Sequence, residues 1–234
     1  MRVLWIGDSI TDGGWGNSGG DMRPSNERSH WDMNHIYGHS YMMLCASHYQ
    51  SVYPNDQMQF WNRGISGNTL QQICDRWQED CLDLKPNVVS LLVGTNDVHF
   101  YLEEKARAQE AGSNVAAFDV HEWGARYRSL MHQTIEALPG VRLVLCTPFV
   151  AKAGWIGEAA DFTEREQLVK QLAEAVRDIA QELDATLIPF DDLFSTLRKD
   201  LPTGNNSYWI WDGIHPTPAG HRQMADLWLK KVNL

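Results

Sequence analysis

The chain is poor in several things, and each scarcity narrows what it can be. Its four cysteines, Cys45, Cys74, Cys81 and Cys146, form no C-x-x-C pair and lie in apolar or helical contexts, so they read as buried, reduced thiols. No apolar run reaches the roughly 20 residues that a membrane-spanning helix needs. Positive charge is in deficit, with 20 Lys and Arg against 30 Asp and Glu and a net charge of -10. That balance argues against nucleic acid and against an anionic membrane surface as partners, and leaves a neutral small substrate open. There is no internal repeat, low-complexity tract or linker, so residues 1–234 read as a single domain. Nothing resembling a signal peptide precedes the first strand, which gives a cytoplasmic location as the expectation.

What is present suits a globular α/β domain. Hydrophobic residues make up 43% of the 234, enough for a core of this size, and the ten tryptophans are many for the length. Val3–Ile6, Met58–Asn62, Val88–Val93, Val141–Cys146 and Ala185–Phe190 are short apolar runs that predict strands buried on both faces. Between them the apolar spacing turns helical. Leu70, Ile73, Trp77, Cys81 and Leu84 predict a helix over 69–84, and Leu168, Leu172, Val176, Ile179 and Leu183 one that starts at a capping box of Thr163 and Glu166. Helices are also expected over 39–52, 120–138 and 217–231, and 11–38 reads as a long loop. The expected fold class is a three-layer α/β/α sandwich around a parallel sheet of about five strands.

Chemistry-bearing residues collect where strands end, the edge at which open parallel sheets bind ligands. Gly7-Asp8-Ser9 follows the first strand, Gly64-Ile65-Ser66-Gly67-Asn68 the second, and Gly94-Thr95-Asn96-Asp97 the third. Trp211-Asp212-Gly213-Ile214-His215-Pro216 comes after the fifth strand and an intervening helix. A serine hydroxyl becomes a useful nucleophile only when a base takes its proton, and His215 is suited to that near neutral pH. A carboxylate three residues away, Asp212, can fix the imidazole tautomer. The N–H groups of Ser9 and Gly67 and the side-chain amide of Asn96 are donors that could face a developing oxyanion.

These four blocks, in this order, resemble the SGNH hydrolases, also called the GDSL esterase/lipase family, over essentially the whole chain. NRGISGNT, RWQEDCLDLKP, GTNDV, Thr147-Pro148-Phe149 and WDGIHPTPAGH are most similar to bacterial acetylxylan esterases. GDSIT stands where many relatives carry GDSLT. The resemblance implies an SGNH/flavodoxin-like sandwich with Ser9 as nucleophile, Asp212 and His215 completing the triad, and Ser9, Gly67 and Asn96 forming the oxyanion hole. It implies a short-chain esterase acting on O-acetylated carbohydrates such as xylo-oligosaccharides. A lipase, lysophospholipase or thioesterase is the alternative. It also implies an oligosaccharide or other small ester as partner, a homo-oligomer, and no cofactor or metal.

Plainer readings apply to the neighbouring residues. Ser9 alone could cap a helix. Asp8 is expected to bond local backbone, and Asp97 to be structural. His30, His35 and His39 with Asp32 have spacings unlike compact metal pairs and read as pocket lining. Trp15, Trp31, Trp209 and Trp211 divide between core filling and contact with substrate. His221 reads as lying on a solvated helix face, and Glu103-Glu104 as surface. Lys230-Lys231 sits at a helix end, where cations suit the dipole.

Overall fold

The computed structural model describes residues 1–17, 23–28, 33–201 and 207–234. In chain order its elements are β1 (Arg2–Gly7), α1 (Ser9–Asp12), α2 (Tyr41–Val52), β2 (Gln59–Gly64), α3 (Leu70–Asp75), β3 (Val88–Leu92) and α4 (Thr95–Glu110). They continue as α5 (Val120–Ala137), β4 (Arg142–Cys146), α6 (Gly154–Glu158), α7 (Phe162–Glu182), β5 (Thr186–Ile188), α8 (Phe190–Lys199) and α9 (Pro218–Val232). The five strands form one parallel sheet in the order β2-β1-β3-β4-β5.

Both sheet faces are covered, which is why the strands read as unbroken apolar runs. Val3, Trp5, Val88, Leu92, Val144 and Cys146 pack with residues of α2, α8 and α9. Leu4, Ile6, Val89, Leu91, Leu143 and Leu145 pack with residues of α3, α5 and α7. The period of two thus divides one apolar run between two cores. Ser90 is the polar exception within β3. Its hydroxyl accepts from Trp228 Nε1 at 3.0 Å, and Trp228 packs on Trp5 with ring centroids 4.8 Å apart. A fully buried indole of this kind contributes about 3–5 kcal/mol by the cost of truncating it to alanine.

Several boundaries depart from the sequence expectation for identifiable reasons. The helix expected over 69–84 begins with a capping box of Thr69 and Gln72, runs straight to Asp75, and continues as a wider π-helical turn over Gln78–Leu82. The widening keeps Trp77 and Cys81 in the core with Leu70 and Ile73, while Arg76 and Asp80 form an ion pair at 2.8 Å. The capping box of Thr163 and Glu166 does not form. Buried Phe162 is already helical, and Asp161 at the cap position pairs with Arg165 at 2.8 Å. β5 is three residues long because Phe190, expected in the strand, begins α8 and packs into the core. α4 has no counterpart in the apolar pattern, since Val98 and Leu102 are its only buried large apolar side chains. Within 11–38, short helical turns cover Trp15–Asn17 and Ser25–Glu27. No helix among the described residues is long and apolar enough to cross a membrane.

Candidate active site

The chain passes from β1 to β2 on one side and then returns to place β3 on the other side of β1. The crossover direction therefore switches between β1 and β3, and a crevice opens beyond their carboxyl ends. Gly7 closes β1, where a Cβ would run into the Leu92 carbonyl and the Thr11 side chain. Asp8, not Ser9, caps α1: its carboxylate accepts from Ile10 N at 3.0 Å. Ser9 is left as the first residue of α1, half-buried at the crevice.

Three side chains meet there in a line. Ser9 Oγ lies 2.8 Å from His215 Nε2, and His215 Nδ1 lies 2.6 Å from Asp212 Oδ2. The other Asp212 oxygen accepts the N–H groups of Ile214 at 2.9 Å and His215 at 2.7 Å. Burial alone would raise the Asp212 pKa, but the hydrogen bonds from the His215 ring and from the two N–H groups outweigh it and hold the carboxyl below its usual range. Burial would lower the His215 pKa, but the bond to Asp212 and its charge, with a smaller contribution from Asp8, raise it overall. Asp8 itself is pushed up to about 6, chiefly by burial.

The loop carrying Asp212 and His215 is braced by a segment the sequence reading passed over. Ala151 N donates to Gly213 O at 2.8 Å and Ile156 N to Asp212 O at 3.2 Å. Gly154 has φ 49°, and a Cβ there would lie 2.6 Å from both Asp212 Cα and Trp211 O. The sequence signal for this brace is Gly154, one of two glycines in a stretch that also holds Lys152. On the far side, Thr217 caps α9 through a 3.2 Å bond from Gly220 N, which fixes where the loop ends.

The second and third blocks meet at the same edge. Gly67 has φ 80°, a conformation that suits glycine. Asn96 is buried at the start of α4, and its Nδ2 donates to Asn68 O at 3.1 Å. Asp97 accepts from Leu70 N at 3.1 Å, which ties the start of α4 to that of α3, and burial pushes its pKa up to about 7. The structure thus brings Ser9, His215 and Asp212 into contact, and joins the block that carries Gly67 to Asn96 through Asn68.

The remaining candidates divide. Trp15 is fully buried, donates to Gly64 O at 2.6 Å, and has the guanidinium groups of Arg28 and Arg63 within 4.6 and 5.0 Å of its ring. Trp209 is half-buried and donates to Leu197 O. Trp211 is exposed and lies 6.4 Å from the His215 ring, the two planes 27° apart. His221 does not lie on a solvated face. Its Nδ1 accepts from Tyr41 N at 3.2 Å, and burial lowers its pKa to about 4. His35 and His39 stand edge to face at 5.5 Å, whereas His30, Trp31 and Asp32 lie outside the described residues. Among the described residues no group of three His, Cys, Asp or Glu side chains is placed to hold a metal ion.

Comparison with known proteins adds four likenesses. Residues 5–223 match the model of the GDSL-like lipase/acylhydrolase family. The chain is 30% identical to an acetylxylan esterase of Geobacillus stearothermophilus, over 99% of this chain and 93% of that protein. Among solved structures it resembles a protein described as a GDSL-like lipase from Parabacteroides merdae, with TM-score 0.79 and 28% identity over 99% of this chain and 95% of that one. It also resembles the acetylxylan esterase Axe2 of Geobacillus stearothermophilus, with TM-score 0.76 and 28% identity over 100% of this chain and 94% of that one. Two variants of Axe2, with one serine or one aspartate replaced by alanine, are described as catalytic mutants.

Proposed function

The chain belongs to the GDSL-like lipase/acylhydrolase family and is a carboxylic ester hydrolase, and from that premise we propose that it is a serine esterase that removes acetyl groups from carbohydrates such as xylo-oligosaccharides. The observation that carries the mechanism is the hydrogen-bonded line from Asp212 through His215 to Ser9. The likeness to acetylxylan esterases supports the substrate class.

In this reading Asp212 holds the His215 proton on Nδ1 and leaves Nε2 as the acceptor facing Ser9 Oγ. His215 takes the hydroxyl proton as Oγ attacks the ester carbonyl. The carbonyl oxygen gains charge and is held by the N–H groups of Ser9 and Gly67 and by the Asn96 amide. His215 gives its proton to the departing sugar oxygen, which leaves an acetyl-enzyme. It then takes a proton from water, which attacks the acetyl carbonyl, and passes that proton to Ser9 Oγ as the intermediate collapses, releasing acetic acid and restoring the Ser9 hydroxyl. Asp8 plays no direct part, because its carboxylate is committed to Ile10 N.

The test is a chain-length series of p-nitrophenyl esters together with acetylated xylo-oligosaccharides, on wild type and Ser9→Ala. Wild type should prefer the two-carbon ester to the eight-carbon ester and release acetate from the sugars. Ser9→Ala should lose several orders of magnitude in kcat. A preference for the longer ester would favour a lipase, lysophospholipase or thioesterase. A Ser9→Ala enzyme that kept most of its rate would remove Ser9 as nucleophile.

A further inference from the structure

Arg76 is the first residue past α3, and its guanidinium touches three stretches of chain that converge on the site. Nε donates to Asn68 Oδ1 at 2.8 Å, Nη1 to the Arg63 carbonyl at 2.8 Å, and Nη2 to the Gly7 carbonyl at 3.2 Å. Nη1 also donates to Asp80 Oδ2 at 2.8 Å, and that buried carboxylate is shared with Arg63, whose Nε lies 3.4 Å from Oδ1. Gly7 stands two residues before Ser9, Arg63 lies near the end of the strand that leads to Gly67, and Asn68 follows Gly67 directly. The Asn68 carbonyl in turn accepts from Asn96 Nδ2 at 3.1 Å. One planar group therefore joins the segments that carry Ser9, Gly67 and Asn96.

We propose that Arg76 is a positioning residue that sets the geometry of the oxyanion hole through Asn68 and through the carbonyls of Gly7 and Arg63. This rests on the reading above of Ser9, Gly67 and Asn96 as oxyanion donors. Three features support it. A guanidinium holds its N–H groups in a rigid plane, so it can fix three acceptors relative to one another, whereas a lysine ammonium would be a single point on a flexible stem. Asn96 has two amide N–H bonds. Anchoring one on the Asn68 carbonyl fixes the direction of the other, so a shift of Asn68 rotates the amide away from an oxyanion. A buried ion pair is also a poor source of stability, since an apolar cluster of the same volume commonly does as well. The Arg76–Asp80 pair lies where the segments leading to Ser9 and Gly67 meet, which gives it a geometric role beside any stabilising one.

The test is kcat and KM for p-nitrophenyl acetate in Arg76→Met, Arg76→Lys, Asn96→Ala and the Arg76→Met/Asn96→Ala double variant, with folding followed by circular dichroism. Arg76→Met should lose on the order of 10²-fold in kcat, with KM and the acid limb of the pH profile little changed, because the His215–Asp212 contact is untouched. Arg76→Lys should recover only part of the loss. Asn96→Ala should lose on the order of 10²–10³-fold. The double variant should lose far less than the product of the single losses, because both changes act on one amide. Multiplicative losses, or an Arg76→Met enzyme as fast as wild type beside a slow Asn96→Ala, would overturn the Arg76 role alone. An Asn96→Ala enzyme with unchanged kcat would overturn the oxyanion reading and the proposal with it. Should Arg76→Met not fold, Asn68→Ala cuts the same link with no change of charge; a similar kcat loss supports the proposal and an unchanged kcat overturns it.

Discussion

Asp212 and His215 are joined twice over a span of three residues: one carboxylate oxygen accepts the His215 backbone N–H at 2.7 Å, and the other lies 2.6 Å from its ring Nδ1. The same side chain therefore shapes the loop and orients the imidazole. The proposed base must be neutral to take a proton, and its pKa is raised above 6.5 by the bond and charge of Asp212, which outweigh the opposing effect of burial. Protonation at low pH switches it off. Activity should thus rise with pH through a midpoint above 6.5. Asp212→Asn should move that midpoint down and lower kcat on the order of 10⁴-fold. A kcat/KM profile against pH checks both, and an unmoved acid limb in the variant would contradict the assignment.

Gly154 supports that loop from outside. Because φ is 49° and a Cβ would press on Asp212 Cα and Trp211 O, Gly154→Ala should displace the loop. The expected outcome is a kcat reduced on the order of tenfold or more, together with about 1–3 kcal/mol of lost stability from the strained backbone. Steady-state kinetics and urea unfolding on the same preparation measure the two effects, and wild-type values in both would show that the brace is dispensable.

Asp97 carries a pH signature of its own. Burial raises its pKa from 3.8 to about 7, so the folded protein binds this proton more tightly than the unfolded chain does. Stability must then fall as pH climbs between those two values and level off above them. Asp97→Asn keeps an acceptor for the Leu70 N–H and removes the charge. Its stability relative to wild type should rise by about 1 kcal/mol or more between pH 5 and pH 8. Urea unfolding at the two pH values decides it. A constant difference would show that the carboxylate does not titrate there.

Much of the fold was legible because burial on both faces leaves a strand as an apolar run. All five strands were placed, with no end displaced by more than two residues. The misplaced ends follow tertiary packing: Phe162 and Phe190 were drawn into helices by the core they fill. α4 was illegible because its two buried large side chains, Val98 and Leu102, make too short a stripe for a period. His221 was misread because its helix spacing could not reveal that the start of α2 packs on it and supplies the Tyr41 N–H. The role of Arg76 left no local signal, since its partners at Gly7, Arg63 and Asn68 come from other strands and loops.

The sequence by itself determined the fold class and the reactive residue types at the strand ends, because both are local: one follows from the period of apolar residues, the other from which side chains come after each run. Tertiary structure alone decided the long-range partnerships. It set His215 beside Ser9, placed Ser90 under Trp228 and gathered three stretches of chain around Arg76. These contacts link segments that are separated in sequence. They depend on the strand order and on where the loops cross, neither of which leaves a period in the chain.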